Sequence, residues 1–398
     1  MKSKDNRWLI TLYMSLFMIF FALIITMFST VLPKITELYG LSMTQVSMFT
    51  IVQNYLATFI STFLLIGWGD RFPKGIVIGI DALLMGFLLF GIETLPPYLV
   101  LMLLFSTLNM TTGILNNLIT AFVSDIYGEK RTRYISMMHV FYSAGALFGP
   151  LLPGAVTSLG YQWNLTYAFL GGLVLAATVT YFLVMAGTRQ FTQQTREEAP
   201  DSSEESLTFL QILKAPMLIP LCLLNMIYMG GHQNIFANWF QLFLQTVDPV
   251  RYPESFTSFC MTVYWIGMLG SRLLSAYLAD KIAPRRFILC GSFVGVLAQI
   301  LGLACNQPLI WLLACALLGL CTGAVFPLTF AIAITWFPKN SARISSLIGI
   351  GTSIGGALIS LITGRIAEGS FTLAMLVPVC SLAGVFLLMR FRFPRETA

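Results

Sequence analysis

The chain has 398 residues, of which 57% are hydrophobic and only 10% charged. A water-soluble fold of this size cannot hide so much apolar surface, so lipid must be part of its solvent. The formal net charge of +6 follows membrane topology and does not mark a nucleic-acid surface.

Lys2, Lys4 and Arg7 precede the first apolar run, Trp8 to Leu32. That run is too long for a signal-peptide core and has no small-residue cleavage pattern at its end, so it reads as a retained signal anchor. Further apolar runs begin near Met43, Gly75, Tyr98, Tyr134 and Asn164, then near Met217, Phe256, Phe287, Ile310, Arg343 and Phe371. Each is about 20 residues or longer, enough to cross the hydrocarbon core as a helix. The expected fold is an all-α membrane protein with twelve transmembrane helices in two pseudo-symmetric six-helix bundles. The bundles cover residues 1–187 and 216–398, and a polar cytoplasmic linker rich in Gln, Thr, Ser and Glu covers 188–215.

Lysine and arginine set the orientation. With the N-terminus inside, nearly all of them fall on the cytoplasmic side, while Lys34, Arg251 and Arg365 lie outside and Arg272 lies within a span. Both termini are then cytoplasmic. All seven cysteines lie in spans of the second half and none forms a CxxC pair, which favours small apolar packing over a disulfide or metal site.

One offset of 210 residues carries Asp70 onto Asp280, Thr112-Gly113 onto Thr322-Gly323, Arg133 onto Arg343, Gly145 onto Gly355 and Gly154 onto Gly364. This marks two homologous halves. Duplicated membrane halves with a site at their interface are the usual build of secondary transporters.

Residues three, four and seven apart share a helical face. Such stripes are Asn109, Thr112 and Asn116 in span four; His139 and Tyr142 in span five; Asn225, Tyr228, His232 and Trp239 in span seven; and Thr262, Trp265 and Arg272 in span eight. Tyr55 of span two joins them as a candidate contact. Polar groups in lipid are costly, so these stripes should face the bundle interior or a wet cavity. The same Asn and Thr residues could be interhelical glue worth about 0.6 kcal/mol each, and Trp239 lies where aromatic belts form. The repeat places Ser15, Met18, Ala22 and Ser29 opposite the span-seven stripe, and Gly319, Thr322 and Phe326 opposite that of span four. One polar and one plainer member per pair suits a substrate with a hydroxyl-rich side and a flatter side, as a sugar has.

Ionisable groups expected inside the membrane are few: Asp81, His139, His232 and Arg272. Arg272 can snorkel inward, and Asp81, six residues into span three, is within reach of the inner surface. His232, near mid-span, is the leading candidate for a substrate or proton contact, since histidine titrates near ~6.5 when unperturbed.

Twelve spans in two halves, with the basic turns Asp70 to Lys74 and Asp280 to Arg286 after the second and eighth, resemble the major facilitator superfamily over the whole chain. The turn at Asp70 departs from the pattern, with Ile66 where a glycine is usual. His139 to Gly145 with Gly149-Pro150, Tyr228-Met-Gly230 with Trp239, Gly267 to Arg272, Gly323 to Pro327 with Phe330 onward, and Gly351 to Ala357 are similar to the fucose-permease-like sugar symporters. The resemblance implies alternating access for a neutral polar small molecule, a sugar by preference; the short loops and lack of targeting extensions favour a bacterial inner membrane, and a monomer is expected. It implies a cytoplasmic latch of Asp70, Arg71 and Asp125 that holds an outward-open state. Lys74, Arg133, Asp280, Lys281, Arg285 and Arg343 belong to the same cytoplasmic gate, although such basic residues also serve as topology signals. Proton symporters of that branch carry carboxylates inside their first and fourth helices. Here span one has no acid and span four has none before Asp125. Proton coupling and uncoupled facilitation therefore both stay open.

A multidrug exporter is the rival reading, because Gly-Pro patterns also mark drug–proton antiporters and 19 methionines could line an adaptable cavity. An enzyme is not expected: there is no HExxH, phosphate loop or nucleophile elbow, and no catalytic residue, metal or cofactor is assigned.

Overall fold

The computed structural model describes residues 7–68, 72–127, 131–185, 215–247, 249–278, 281–336 and 341–393. Among the described residues every regular element is a helix. In chain order these are α1 (Arg7–Tyr39), α2 (Met43–Thr50), α3 (Ala57–Trp68), α4 (Lys74–Glu93), α5 (Tyr98–Tyr127), α6 (Arg131–Phe148), α7 (Leu152–Ser158) and α8 (Leu165–Met185). The second half holds α9 (Leu218–Asn225), α10 (Asn234–Thr246), α11 (Glu254–Tyr277), α12 (Pro284–Cys305), α13 (Pro308–Thr322), α14 (Val325–Trp336), α15 (Ser341–Gly369), α16 (Phe371–Ala374) and α17 (Leu376–Phe391).

Among the described residues nine helical segments are long and apolar enough to cross a membrane. The other three expected spans are present but interrupted or diluted. Span two is α2 and α3 joined by a π-helical segment, Ile51–Leu56; span seven is α9 and α10 joined by another, Met226–Gln233. Span eight, α11, mixes Ser, Thr and Arg272 into its apolar run. Phe87, Leu103, Phe169 and Leu183 in the first half, and Ile219, Leu273, Phe293 and Leu313 in the second, are exposed. Large apolar side chains standing out on so many helices mark a lipid-facing surface.

The chain packs into two compact units: Met1–Val31 with Val52–Pro200, and Leu32–Ile51 with Asp201–Ala398. In unit 1, α4 packs along α5 and α8, and α3 and α6 lean on α5. Gly145 of α6 meets α1 so closely that a Cβ there would lie 2.5 Å from the Ile19 carbonyl oxygen. In unit 2, α11 packs on α13, α12 on α13 and α17, and the π-helical segment of span seven on α15 and α17. A Cβ on Gly230 would lie 2.5 Å from the Gly356 Cα, so the two backbones touch. Small residues allow such approaches, which replace the hydrophobic drive that lipid does not supply between helices.

The end of α1 and all of α2 belong to unit 2 by their contacts. Lys34 pairs with Glu254 at 2.7 Å, Glu368 accepts the Thr44 backbone N–H at 2.7 Å, and the Ser47 hydroxyl donates to the Ser360 carbonyl at 2.6 Å. Helix α2 starts cleanly there because Ser42 and Gln45 form a reciprocal capping box.

Candidate functional site

The π-helical segment of span two sets the polar patch of unit 1. A wider turn takes backbone carbonyls out of the ordinary ladder, and the Ser106 hydroxyl donates to one of them, Val52, at 3.0 Å. The segment also brings Asn54 against α5, where the Asn109 amide donates to its side-chain oxygen at 3.0 Å. Thr112 turns back to the Asn109 carbonyl at 2.8 Å. What remains is a set of amide atoms with no hydrogen-bond partner: Gln53 Oε1, Asn54 Nδ2 and Asn116 Oδ1. Each amide offers both donor and acceptor, so this patch can bind a group that also has both, such as a hydroxyl. Tyr55 is buried in the same segment.

Unit 2 presents a different surface. On span seven the Asn225 amide donates to the Thr352 hydroxyl at 2.7 Å and keeps its own oxygen unpartnered. The Tyr228 hydroxyl donates to the Thr322 carbonyl at 2.6 Å. His232, 0% exposed, sits between the rings of Tyr228 and Phe236, with centroids 5.9 and 6.0 Å away. The Pro378 carbonyl faces it, but neither ring nitrogen makes a hydrogen bond of ordinary geometry. Phe236 continues the stack to Phe240 at 4.5 Å and to Tyr264 at 5.3 Å. Gln233 Oε1 and Trp265 Nε1 are buried without partners. Trp239 is fully buried, and its indole N–H reaches the Thr50 hydroxyl at 3.4 Å.

His139, expected among the buried ionisable groups, is exposed. Helix α6 turns Gly145 into α1, and His139 lies about 120° around the helix from that contact at 3.6 residues per turn. Tyr142 is half-buried with its ring 5.0 Å from that of Phe21.

Of the expected gate residues, Lys74 and Asp125 form an ion pair at 2.9 Å with side chains only 7% and 16% exposed. Lys281 lies over the Tyr277 ring, 5.0 Å from its centroid. Arg285 is buried and donates to the carbonyls of Met389 and Phe393 at 3.1 Å and of Arg390 at 3.2 Å. It thus caps the end of α17, where a cation complements the helix dipole. Asp70, Arg71 and Asp280, and the side chains of Arg133 and Arg343, lie outside the described residues.

Three functional candidates are additions to the sequence reading: Gln53, Asn54 and Gln233. Two adjacent amides in an apolar run, Ile51-Val-Gln-Asn-Tyr55, are themselves a signal, but a helical-face rule discards them because neighbours point apart.

The family model of the Major Facilitator Superfamily matches residues 14–253 and 250–398. The glucose/mannose transporter GlcP of Bacillus subtilis (strain 168) is 21% identical over 238 residues, 59% of this chain and 58% of that protein. The chain therefore spans a little over half the length of this curated relative. The crystal structure of the D-xylose-proton symporter superposes with a TM-score of 0.78 at 11% identity, covering 98% of this chain and 99% of that one. That of a variant of the E. coli fucose:proton symporter FucP gives 0.63 at 16% identity, covering 99% and 100%.

Proposed function

Because the chain belongs to the Major Facilitator Superfamily, a family of multi-pass membrane transporters, we propose that its small-molecule substrate is a neutral sugar moved by alternating access. The observation that carries this reading is the amide patch of unit 1, with Gln53, Asn54 and Asn116 each leaving a buried polar atom unpartnered. A group of donors and acceptors with no charge among them selects hydroxyls and not ions. Asn109 and Thr112 support the patch, and Tyr55, Tyr142 and His139 are the further contacts assigned in the first half. In the second half the contacts are Asn225, Tyr228, His232, Trp239 and Trp265, and the rings of Tyr228, Trp239 and Trp265 suit the C–H face of a pyranose. The similarity to a glucose/mannose transporter supports the same class.

The cytoplasmic gate in this reading comprises Asp70, Arg71, Lys74, Asp125, Arg133, Asp280, Lys281, Arg285 and Arg343. The halves 1–187 and 216–398 act as the two repeats, joined by the 188–215 linker. The protein works as a monomer in a bacterial inner membrane with both termini in the cytoplasm, and transport is coupled to a proton.

The test is thermal denaturation of the purified full chain in detergent with D-glucose, D-mannose and the lipophilic cation tetraphenylphosphonium. A ligand that binds the folded state raises the melting temperature by mass action. A shift with a sugar alone is the expected result. A shift with the lipophilic cation alone overturns the sugar reading in favour of a drug exporter.

A further inference from the structure

We propose that Asp81 is the proton-carrying group of this transporter, a site in unit 1 distinct from the substrate residues named above. The proposal deepens the proton-coupled reading and rests on it. Asp81 lies in α4, seven residues beyond Lys74 and so about 10.5 Å further along the helix. It is 7% exposed, on the face that also buries Lys74, Ile78 and Met85. Its Oδ2 has no hydrogen-bond partner, and the carboxylate joins no ion pair among the described residues.

Among the described residues no cation is paired with it. The helices packed along α4 are α5 and α8. Their titratable groups are Tyr98, Asp125 and Tyr127 of α5, and Tyr167 and Tyr181 of α8. Asp125 is held by Lys74, the Tyr181 hydroxyl donates to the Gly75 carbonyl at 2.8 Å, and that of Tyr127 to the Arg7 carbonyl at 3.1 Å. Tyr98 and Tyr167 open their helices at the opposite end of α4, beside Glu93. From α1, Tyr13 and Phe17 pack on Tyr181.

A carboxylate buried in a membrane helix with no counter-charge is costly, and neutralisation by a bound cation removes the cost. One acid outside any cluster of acids suits a proton, because metal cations need several oxygens. Among the described residues no cluster of three or more His, Cys, Asp or Glu side chains could hold a metal. The step is a protonation only: the proton binds a carboxyl oxygen, no electrons move, and it leaves to water on the other side. When it leaves, the ionised Asp81 stands two turns from Lys74 on one face and competes with Asp125 for that ammonium. Loss of the proton is thereby felt at the cytoplasmic end of α4, where Lys74 holds Asp125.

The test compares native protein with Asp81→Asn and Asp81→Glu in proteoliposomes, with D-glucose as probe. The native chain should accumulate glucose under an inward-directed proton gradient. Asp81→Asn should lose accumulation and keep counterflow exchange, and Asp81→Glu should regain part of it. Accumulation by Asp81→Asn at the native level overturns the proposal. A substrate-free readout separates this from failure of the sugar reading. Infrared difference spectra between acidic and neutral pH should contain a protonated-carboxyl band that is absent in Asp81→Asn and displaced in Asp81→Glu. A band unchanged in both variants overturns the assignment whatever the substrate is.

Discussion

His232 is fully buried between two aromatic rings and faced by the Pro378 carbonyl, yet neither ring nitrogen makes a hydrogen bond of ordinary geometry. A buried donor or acceptor left in that state costs about 1–3 kcal/mol, so a purely structural site would be better served by phenylalanine. His232→Phe should therefore fold with a melting temperature equal to or above the native one while glucose counterflow is lost. Thermal denaturation and a counterflow assay check the two halves of this statement. Native counterflow in His232→Phe would make the imidazole a packing ring and remove it from the transport site. The spacing of Asn225, Tyr228 and His232 already put these residues on one face. What spacing does not carry is partners far away in sequence. Asn54 and Asn109 meet across 55 positions, and Lys74 and Asp125 across 51. Lys74, expected in the cytoplasmic gate or as a topology signal, is buried against an acid. His139 shows the opposite case, a polar residue whose exposure is decided by how α6 turns Gly145 into α1.

At the scale of elements, span seven is closely packed within unit 2. Its π-helical segment meets α15 at Gly230 and α17 at Gly231, where any side chain would collide with Gly356 or Ser381. The Gly230 contact is backbone against backbone, so a substituent cannot be accommodated by rotating a neighbouring side chain. Gly230→Val should destabilise the protein by about 1–3 kcal/mol, the usual cost of overpacking. Gly349→Ala on the same partner helix should be neutral, because nothing lies within 4 Å of its added Cβ. Melting temperatures of the two variants decide the point, and equal shifts would mean that the Gly230 crossing has room for a side chain. The apolar runs placed every span, and the starts of α4, α5 and α12 fall within three residues of the expected positions. The π-helical segments were hidden for a physical reason. A wider turn changes which carbonyls are bonded and rotates the later residues, but it leaves the run of apolar side chains unbroken. The amides Gln53 and Asn54 lie within such a segment, where an ordinary helical-face count does not apply.

At the scale of the whole molecule, the duplication reappears in the internal packing of both halves. Gly113 approaches Ser61, and 210 positions later Gly323 approaches Met268; Gly145 meets α1, and Gly355 meets Met226 of span seven. Equivalent glycines thus keep equivalent helices close in each half, as a shared ancestor requires. The exception is Leu32–Ile51, which belongs to unit 2 by its contacts although it lies in the first repeat. Its best-defined polar tie is Lys34 to Glu254, with side chains 19% and 25% exposed. Partial exposure weakens such a pair to about 1 kcal/mol, so deletion of either partner alone is a poor probe. Reversal of one charge is a better one, because it replaces attraction with repulsion at the same distance. Lys34→Glu should lower the melting temperature, Glu254→Lys should do the same, and the double swap should restore most of the loss. The coupling energy of that cycle isolates the pair from all other effects of each change. Since the two ends are 220 residues apart in the chain, a favourable coupling also tests the placement of this segment. Strict additivity would mean that Lys34 and Glu254 do not meet, and that Leu32–Ile51 is held by its other contacts, such as Ser47 to Ser360 and Thr44 to Glu368.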